Sequence, residues 1–260
     1  MEVLGSLLAA SSLGLPEALM LALLLLFVPT ILFFRARVRA GKTPHLRAIP
    51  AFERMSALVG LAAETGHPLS LTLGSGGIGQ ASAAETLAAL DLLDAVGEQA
   101  ASYGATPLVT TGDPTVLLAA QGVLRAGYGA QGGLQEYDHL SVRLVAPEPA
   151  AYAAGVMDIL NHQPLAGHVM AGRFGDEYLL MAETGVHAGV EQMGGAAQPS
   201  VLPFVYATAD RPILGEELFA AGAYLKRLPA HVGSLLAQDW MRIALILILV
   251  IGIVWKTVVG

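Results

Sequence analysis

Gly74, Gly76 and Gly79 stand at G-x-G-x-x-G spacing inside LSLTLGSGGIGQASAAETLAAL (Leu69–Leu90), between an apolar alternation and an alanine-rich helical pattern. In that setting the first glycine makes a turn, the second lets a pyrophosphate approach the backbone, and the third lets helix pack on strand. The candidate cofactor-binding set is therefore Gly74, Ser75, Gly76, Gly77 and Gly79, and a nucleotide is the one cofactor it suggests. Asp113 joins the set because an acidic residue past the second strand can hold a ribose hydroxyl. It lies beyond the usual distance from Gly74 and precedes Pro114, so capping the next helix explains it equally well. The opposing reading of the glycines is a packing role, against a neighbouring subunit or under a sheet.

Other motifs for phosphate or acyl transfer fail. A Walker A loop needs Lys where Gln80 stands, and a hydrolase elbow needs Gly where Leu73 stands. The chain has no cysteine, which excludes disulfides, thiolate metal sites and cysteine nucleophiles. His162 and His168 lack helix-spaced partners, and His187 follows Glu183 as a solvated i, i+4 pair would. Asp176-Glu177 and Glu216-Glu217 fit the first turns of helices better than acid–base dyads, since neighbours in sequence point to different faces. No catalytic residue and no metal site is assigned, and nothing here speaks positively for an enzyme.

The elements that must position these residues alternate. Strands are expected at Leu69–Leu73, Pro107–Thr111, Ser141–Ala146 and His168–Gly172, with a short one near Gly189–Met193. Helices are expected at Ala81–Tyr103, from Pro114 to about Ala126, and at Ala150–Leu160, Asp176–Gly185 and Gly215–Arg227. LPFVYATAD, beginning at Leu202, fits either type, and the glycine-rich run from Gly127 reads as a loop. Such alternation implies parallel βαβ crossovers, hence an α/β, Rossmann-like three-layer sandwich with a mostly parallel sheet.

Two apolar segments flank this body. Ala18–Phe34 carries no charge over seventeen residues, roughly 25 Å as helix, and RARVR follows it directly. Glu2 and Glu17 come before the run and the arginines after it, which is the wrong order for a cleaved signal peptide. Ile243–Trp255 is thirteen uncharged residues, about 20 Å, bracketed by Trp240 and Trp255. The expected layout is a transmembrane helix within 1–34, a basic linker over 35–66, the α/β domain over 67–239 and a short transmembrane helix over 240–260. Arg35, Arg37, Arg39, Lys42, Arg47 and Arg54 put the body on the cytoplasmic side of the inner membrane and the termini outside. From Met55 to Asp239 six basic residues face eighteen acidic ones, a net of −12 that argues against a nucleic-acid partner.

LSLTLGSGGIG, VTTGDPT, SVRLVAPEPAAYAAGVMDILNH, GEELFAAGAYL and PAHVGSLLAQD together cover most of the body. On these stretches the chain resembles an uncharacterised family of bacterial membrane-anchored proteins, a domain of unknown function met especially in Chloroflexota. The resemblance implies the anchor–α/β–anchor layout and transfers no activity. The expected function is a membrane-anchored structural or interaction protein that self-assembles as a homo-oligomer, ring or lattice. Its partners are lipid, its own copies and possible further membrane subunits. A sensor or enzyme binding a nucleotide or small ligand at Gly74–Gly79 is the alternative.

Overall fold

The computed structural model describes residues 14–42, 46–79, 81 and 83–259. The expected N-terminal segment before Gly14, residues 43–45 of the basic linker, and Gln80 and Ser82 lie outside the described residues. Contacts divide the chain into two units, one of Leu46–Arg227 and one formed by the two ends of the chain.

In the larger unit the elements run α2 (Pro50–Thr65), β1 (Leu69–Gly74), α3 (Ala83–Tyr103), β2 (Leu108–Thr111), α4 (Pro114–Ala130) and β3 (Val142–Leu144). They continue with α5 (Pro149–His162), β4 (Gly167–Arg173), α6 (Glu177–His187), β5 (Gln192–Ala196), α7 (Leu202–Thr208), β6 (Arg211–Leu214) and α8 (Ala221–Leu225). Short 3₁₀ turns at His139–Ser141 and Gly215–Ala220 lead into β3 and α8. The six strands are all parallel in the order β3-β2-β1-β4-β5-β6, the doubly wound order whose direction reverses between β1 and β4. Right-handed crossovers then put α3 and α4 on one face and α5, α6 and α7 on the other, and α3 accordingly packs on α2 and α4 while α5 packs on α6.

The two faces differ in chemistry. Leu71 lies in register with Val109 and Val169, and Val169 with Met193, a row of aliphatic side chains. On the other face Ser70 pairs with His168 and His168 with Gln192, and Thr72 pairs with Thr110. All five are buried. An all-parallel sheet covered by helices on both sides has no solvent face for them, so each needs a partner inside.

Several expected boundaries move. α4 continues through Gly127 to Ala130, where a loop was expected. The reason is packing: a Cβ on Gly127 would stand 3.2 Å from the Glu98 amide, so the glycine lets α4 lie close on α3, and Tyr128 Oη donates to the Ala105 carbonyl at 2.6 Å. α2 was not expected within the basic stretch, yet Pro50 starts it, Gly66 ends it at φ +70°, and Met55, Leu58 and Val59 are buried. LPFVYATAD resolves into α7, and the following RPIL forms β6, which the sequence reading missed. Gly215–Arg227 is a 3₁₀ turn followed by a short α-helix rather than one helix.

The second unit contains α1 (Leu15–Arg39) and α9 (Pro229–Val259), two helices long and apolar enough to cross a membrane. α9 has 31 residues because it starts well before the apolar run, at Pro229, with Val232, Ala237 and Met241 buried. A Cβ on Gly233 would lie 2.8 Å from the Arg35 backbone, so this glycine sets how closely the two helices approach. The apolar lengths of both are exposed.

Candidate functional site

The glycine loop leaves β1 at the strand-order reversal, where doubly wound folds bind ligands. Gly74 has φ +83°, and a Cβ there would stand 2.1 Å from the Arg173 carbonyl oxygen on β4. Its role is thus the close approach of two strand ends. The backbone around it is internally engaged. The Gly74 amide donates to Tyr152 Oη at 3.3 Å, and the Ser75 amide to the Arg173 carbonyl at 3.2 Å. The Ile78 amide donates to Thr115 Oγ1 at 3.4 Å, and the Gly112 amide to the Gly74 carbonyl at 3.0 Å. Gly76 and Gly77 are buried in the loop. Gly79 is exposed at φ +95°, open space surrounds its Cβ position, and α3 begins four residues later at Ala83. The third glycine of the fingerprint therefore sits in a turn, away from any helix–strand contact.

Asp113 lies at the end of β2 as the N-cap of α4. Its Oδ1 accepts from the amides of Thr115 (2.7 Å) and Val116 (3.2 Å) and from the Thr115 hydroxyl. Partial burial pushes this carboxyl up, but the three donors together outweigh it and hold it below the usual carboxylate range. The same Thr115 hydroxyl receives the Ile78 amide, so cap and glycine loop form one hydrogen-bonded joint.

Two residues outside the expected set complete the crevice. Glu177, at the start of α6, is only 8% exposed, and its Oε1 accepts from Ser75 Oγ at 2.9 Å. Tyr152 of α5 is fully buried and donates to the Thr110 carbonyl at 3.2 Å while receiving the Gly74 amide. Burial, reinforced by the charge of Glu177, pushes its phenol well above the ordinary range, so it acts as a neutral donor. At the rim Arg173 Nη1 reaches Glu85 of α3 at 3.4 Å. The sequence offered Glu177 only as a helix first-turn acid. Nothing in a linear pattern signals that Tyr152, 78 residues beyond Gly74, would meet its amide.

The chemistry of this arrangement is that of a closed joint. A carboxylate at the mouth repels phosphate, and the Gly74, Ser75 and Ile78 amides are already bonded within the chain. Among the described residues no histidine bonds Ser75 Oγ, whose partner is Glu177. His168 is fully buried in β4, with Nδ1 3.1 Å from Ser70 Oγ and Nε2 unpartnered, and burial lowers it to about 4. No cluster of His, Asp and Glu suited to a metal ion occurs among the described residues. A cavity of about 470 Å³ does open in this unit, lined by His67, Pro107, Asp138, Arg143 and Gln163. It lies at the opposite, N-terminal edge of the sheet.

The chain matches a family described as a domain of unknown function, DUF6754, over residues 12–260, and belongs to that family. No curated protein and no solved structure matches it.

Proposed function

We propose that this member of the family is a membrane-anchored structural or interaction protein that self-assembles into a homo-oligomer at the cytoplasmic face. One observation carries the reading. Of the groups a nucleotide would use, the Gly74 and Ser75 amides and the Asp113 carboxylate, with the Ile78 amide beside them, bond within the chain itself. A doubly wound sheet whose switch point is closed in this way serves as a rigid body to be held and touched, since fold alone does not dictate chemistry. α1 and α9 supply the anchors, with lipid as the partner of their exposed apolar lengths. The six basic residues between Arg35 and Arg54 favour a cytoplasmic body with both termini outside.

The second reading, a nucleotide or small ligand at Gly74–Gly79, is favoured by one observation: the loop leaves β1 beside β4, at the reversal of strand order. Native mass spectrometry of the gently solubilised full chain separates the two. A defined homo-oligomer with no small molecule supports the interaction protein. A monomer carrying a nucleotide-sized mass overturns it. In that case Gly76→Val abolishes the bound mass while leaving the fold.

A further inference from the structure

α1 and α9 pack antiparallel. A Cβ on Gly233, near the start of α9, would meet the Arg35 backbone near the end of α1, and Trp240, two turns further along α9, stands beside Pro29 and Phe33, earlier on α1. Between the helices opens a groove of about 370 Å³, walled by Leu25, Leu26, Pro29, Thr30 and Phe33 of α1 and by Trp240 of α9. Its shape follows from the sequence. Pro29 and Thr30 are small residues between the large pairs Leu25-Leu26 and Phe33-Phe34, and the Thr30 hydroxyl donates to the Leu26 carbonyl at 2.7 Å instead of filling the notch. Leu26, Phe33 and Trp240 are 49, 61 and 48% exposed, so the groove is open to the outside.

The two walls change character at different depths. α1 is uncharged from Ala18 to Phe34, past the groove, whereas α9 carries Gln238, Asp239 and Arg242 at the level of Trp240 and turns apolar only at Ile243. In a bilayer such a level is where headgroups give way to acyl chains, the depth that tryptophan favours. Leu26, Thr30, Phe33 and Arg37 follow one another at i, i+4, i+7 and i+11, along one face of α1. Helical side chains lean toward the helix N-terminus, so the exposed Arg37 leans over Phe33 toward the groove. Arg35, Arg37, Arg39 and Lys42 make no ion pair among the described residues, while Asp239 is paired with Arg242 at 3.5 Å. The one acid of α1 is Glu17, at its far end.

We propose that this groove holds an acyl chain of an anionic phospholipid, with the lipid phosphate at Arg37. The inference rests on α1 and α9 being membrane anchors and names the lipid they select. A zwitterionic headgroup would bring its ammonium group among Arg35, Arg37, Arg39 and Lys42, with Asp239 already engaged by Arg242. An anionic headgroup meets only attraction there. A third helix fits the groove less well, because helices that pair in lipid meet over small residues and these walls present Leu, Phe and Trp. A flexible acyl chain can follow the notch at Pro29 and Thr30.

The chain has only two tryptophans, which makes the test local. Trp255→Phe leaves Trp240 as the sole indole of the full-length chain, reconstituted in phosphatidylcholine vesicles with a constant minor share of phosphatidylglycerol. Bromine is placed on the acyl chains of one lipid or the other, and quenches an indole that those chains touch. The expected result is that brominated phosphatidylglycerol quenches Trp240 with an apparent affinity about fivefold above that of brominated phosphatidylcholine. Arg37→Gln brings that ratio close to one, and Arg39→Gln, on the opposite face of α1, leaves it unchanged. Equal affinity for the two lipids overturns the site and leaves the anchors standing. A preference that survives Arg37→Gln, or that Arg39→Gln removes as fully, also overturns the site, since lipid then gathers over the whole basic collar. Brominated lipid that quenches neither tryptophan of the parent chain overturns the anchors together with the site.

Discussion

His168 makes the folded larger unit acid-sensitive by a calculable amount. The imidazole is completely buried in β4, its Nε2 has no partner among the described residues, and burial lowers its pKa to about 4. In the unfolded chain a histidine titrates near 6.5. Between those values the unfolded state binds a proton that the folded state refuses, so stability is complete above pH 6.5 and falls as pH drops toward 4. Protonation linkage with these values removes about 2 kcal/mol between pH 7 and pH 5, approaching about 3 kcal/mol below pH 4. With a urea dependence of about 2 kcal/mol per molar, the midpoint at pH 5 lies about 1 M lower from this residue alone. All seven tyrosines fall within Leu46–Arg227 and both tryptophans within α9. Second-derivative tyrosine absorbance of the full chain in a non-ionic detergent therefore follows the right unit. His168→Gln keeps a polar group facing Ser70 but cannot titrate, so subtracting its pH dependence from the parent's cancels what every other ionisable group contributes. The difference between the two proteins should grow by about 2 kcal/mol from pH 7 to pH 5. Parallel curves would refute the reasoning, because they would mean that His168 takes up its proton in the folded state as readily as in the unfolded one.

The glycine loop gives a contrast within one motif. Gly74→Ala drives a Cβ into the Arg173 carbonyl and should cost about 3 kcal/mol or more, whereas Gly79→Ala meets only backbone strain of about 1 kcal/mol in the same urea titration. Asp113→Ala removes the α4 cap and should lower stability by about 1 kcal/mol without changing subunit number by photobleaching. Tyr152→Phe leaves the Gly74 amide and the Thr110 carbonyl without this partner in the interior. It should cost about 2 kcal/mol and speed amide exchange at Gly74, measured by mass spectrometry, relative to β5.

Legibility followed the physics of each element. Periodic segments with strong ends were readable: β1, α3 and the Asp113-Pro114 start of α4 lie close to where the pattern put them. Parallel crossovers followed from alternation alone. α2 was hidden because Arg54 and the basic residues before Pro50 made the stretch read as a linker, although Ala51, Phe52, Met55, Leu58, Val59 and Ala62 recur at helical spacing and form its buried face. β6 was hidden because RPIL begins with Arg and Pro, which a central strand would not tolerate but an edge strand does. The start of α9 was missed because hydropathy marks only the apolar run, while its first turns carry Pro229, His231 and Gly233 and pack locally.

The candidate site divides the same way. Spacing put Gly74, Ser75 and Asp113 at the carboxyl ends of β1 and β2, and there they are. What spacing could not carry is which hydrogen bonds those groups make. A fingerprint glycine at the third position does its work only when the helix begins beside it, because the helix N-terminus supplies the unpaired amides that hold a phosphate. In this chain the helix begins four residues past Gly79. Tyr152, Arg173 and Thr115, each from another element, reach the loop first and take the amides of Gly74, Ser75 and Ile78. A ligand using those amides would have to break those bonds and would face the Glu177 carboxylate as it did so. The same sheet order can thus hold a cofactor or close on itself. In this chain the Thr115 side chain of α4, the Tyr152 side chain of α5 and the Arg173 carbonyl of β4 are the difference.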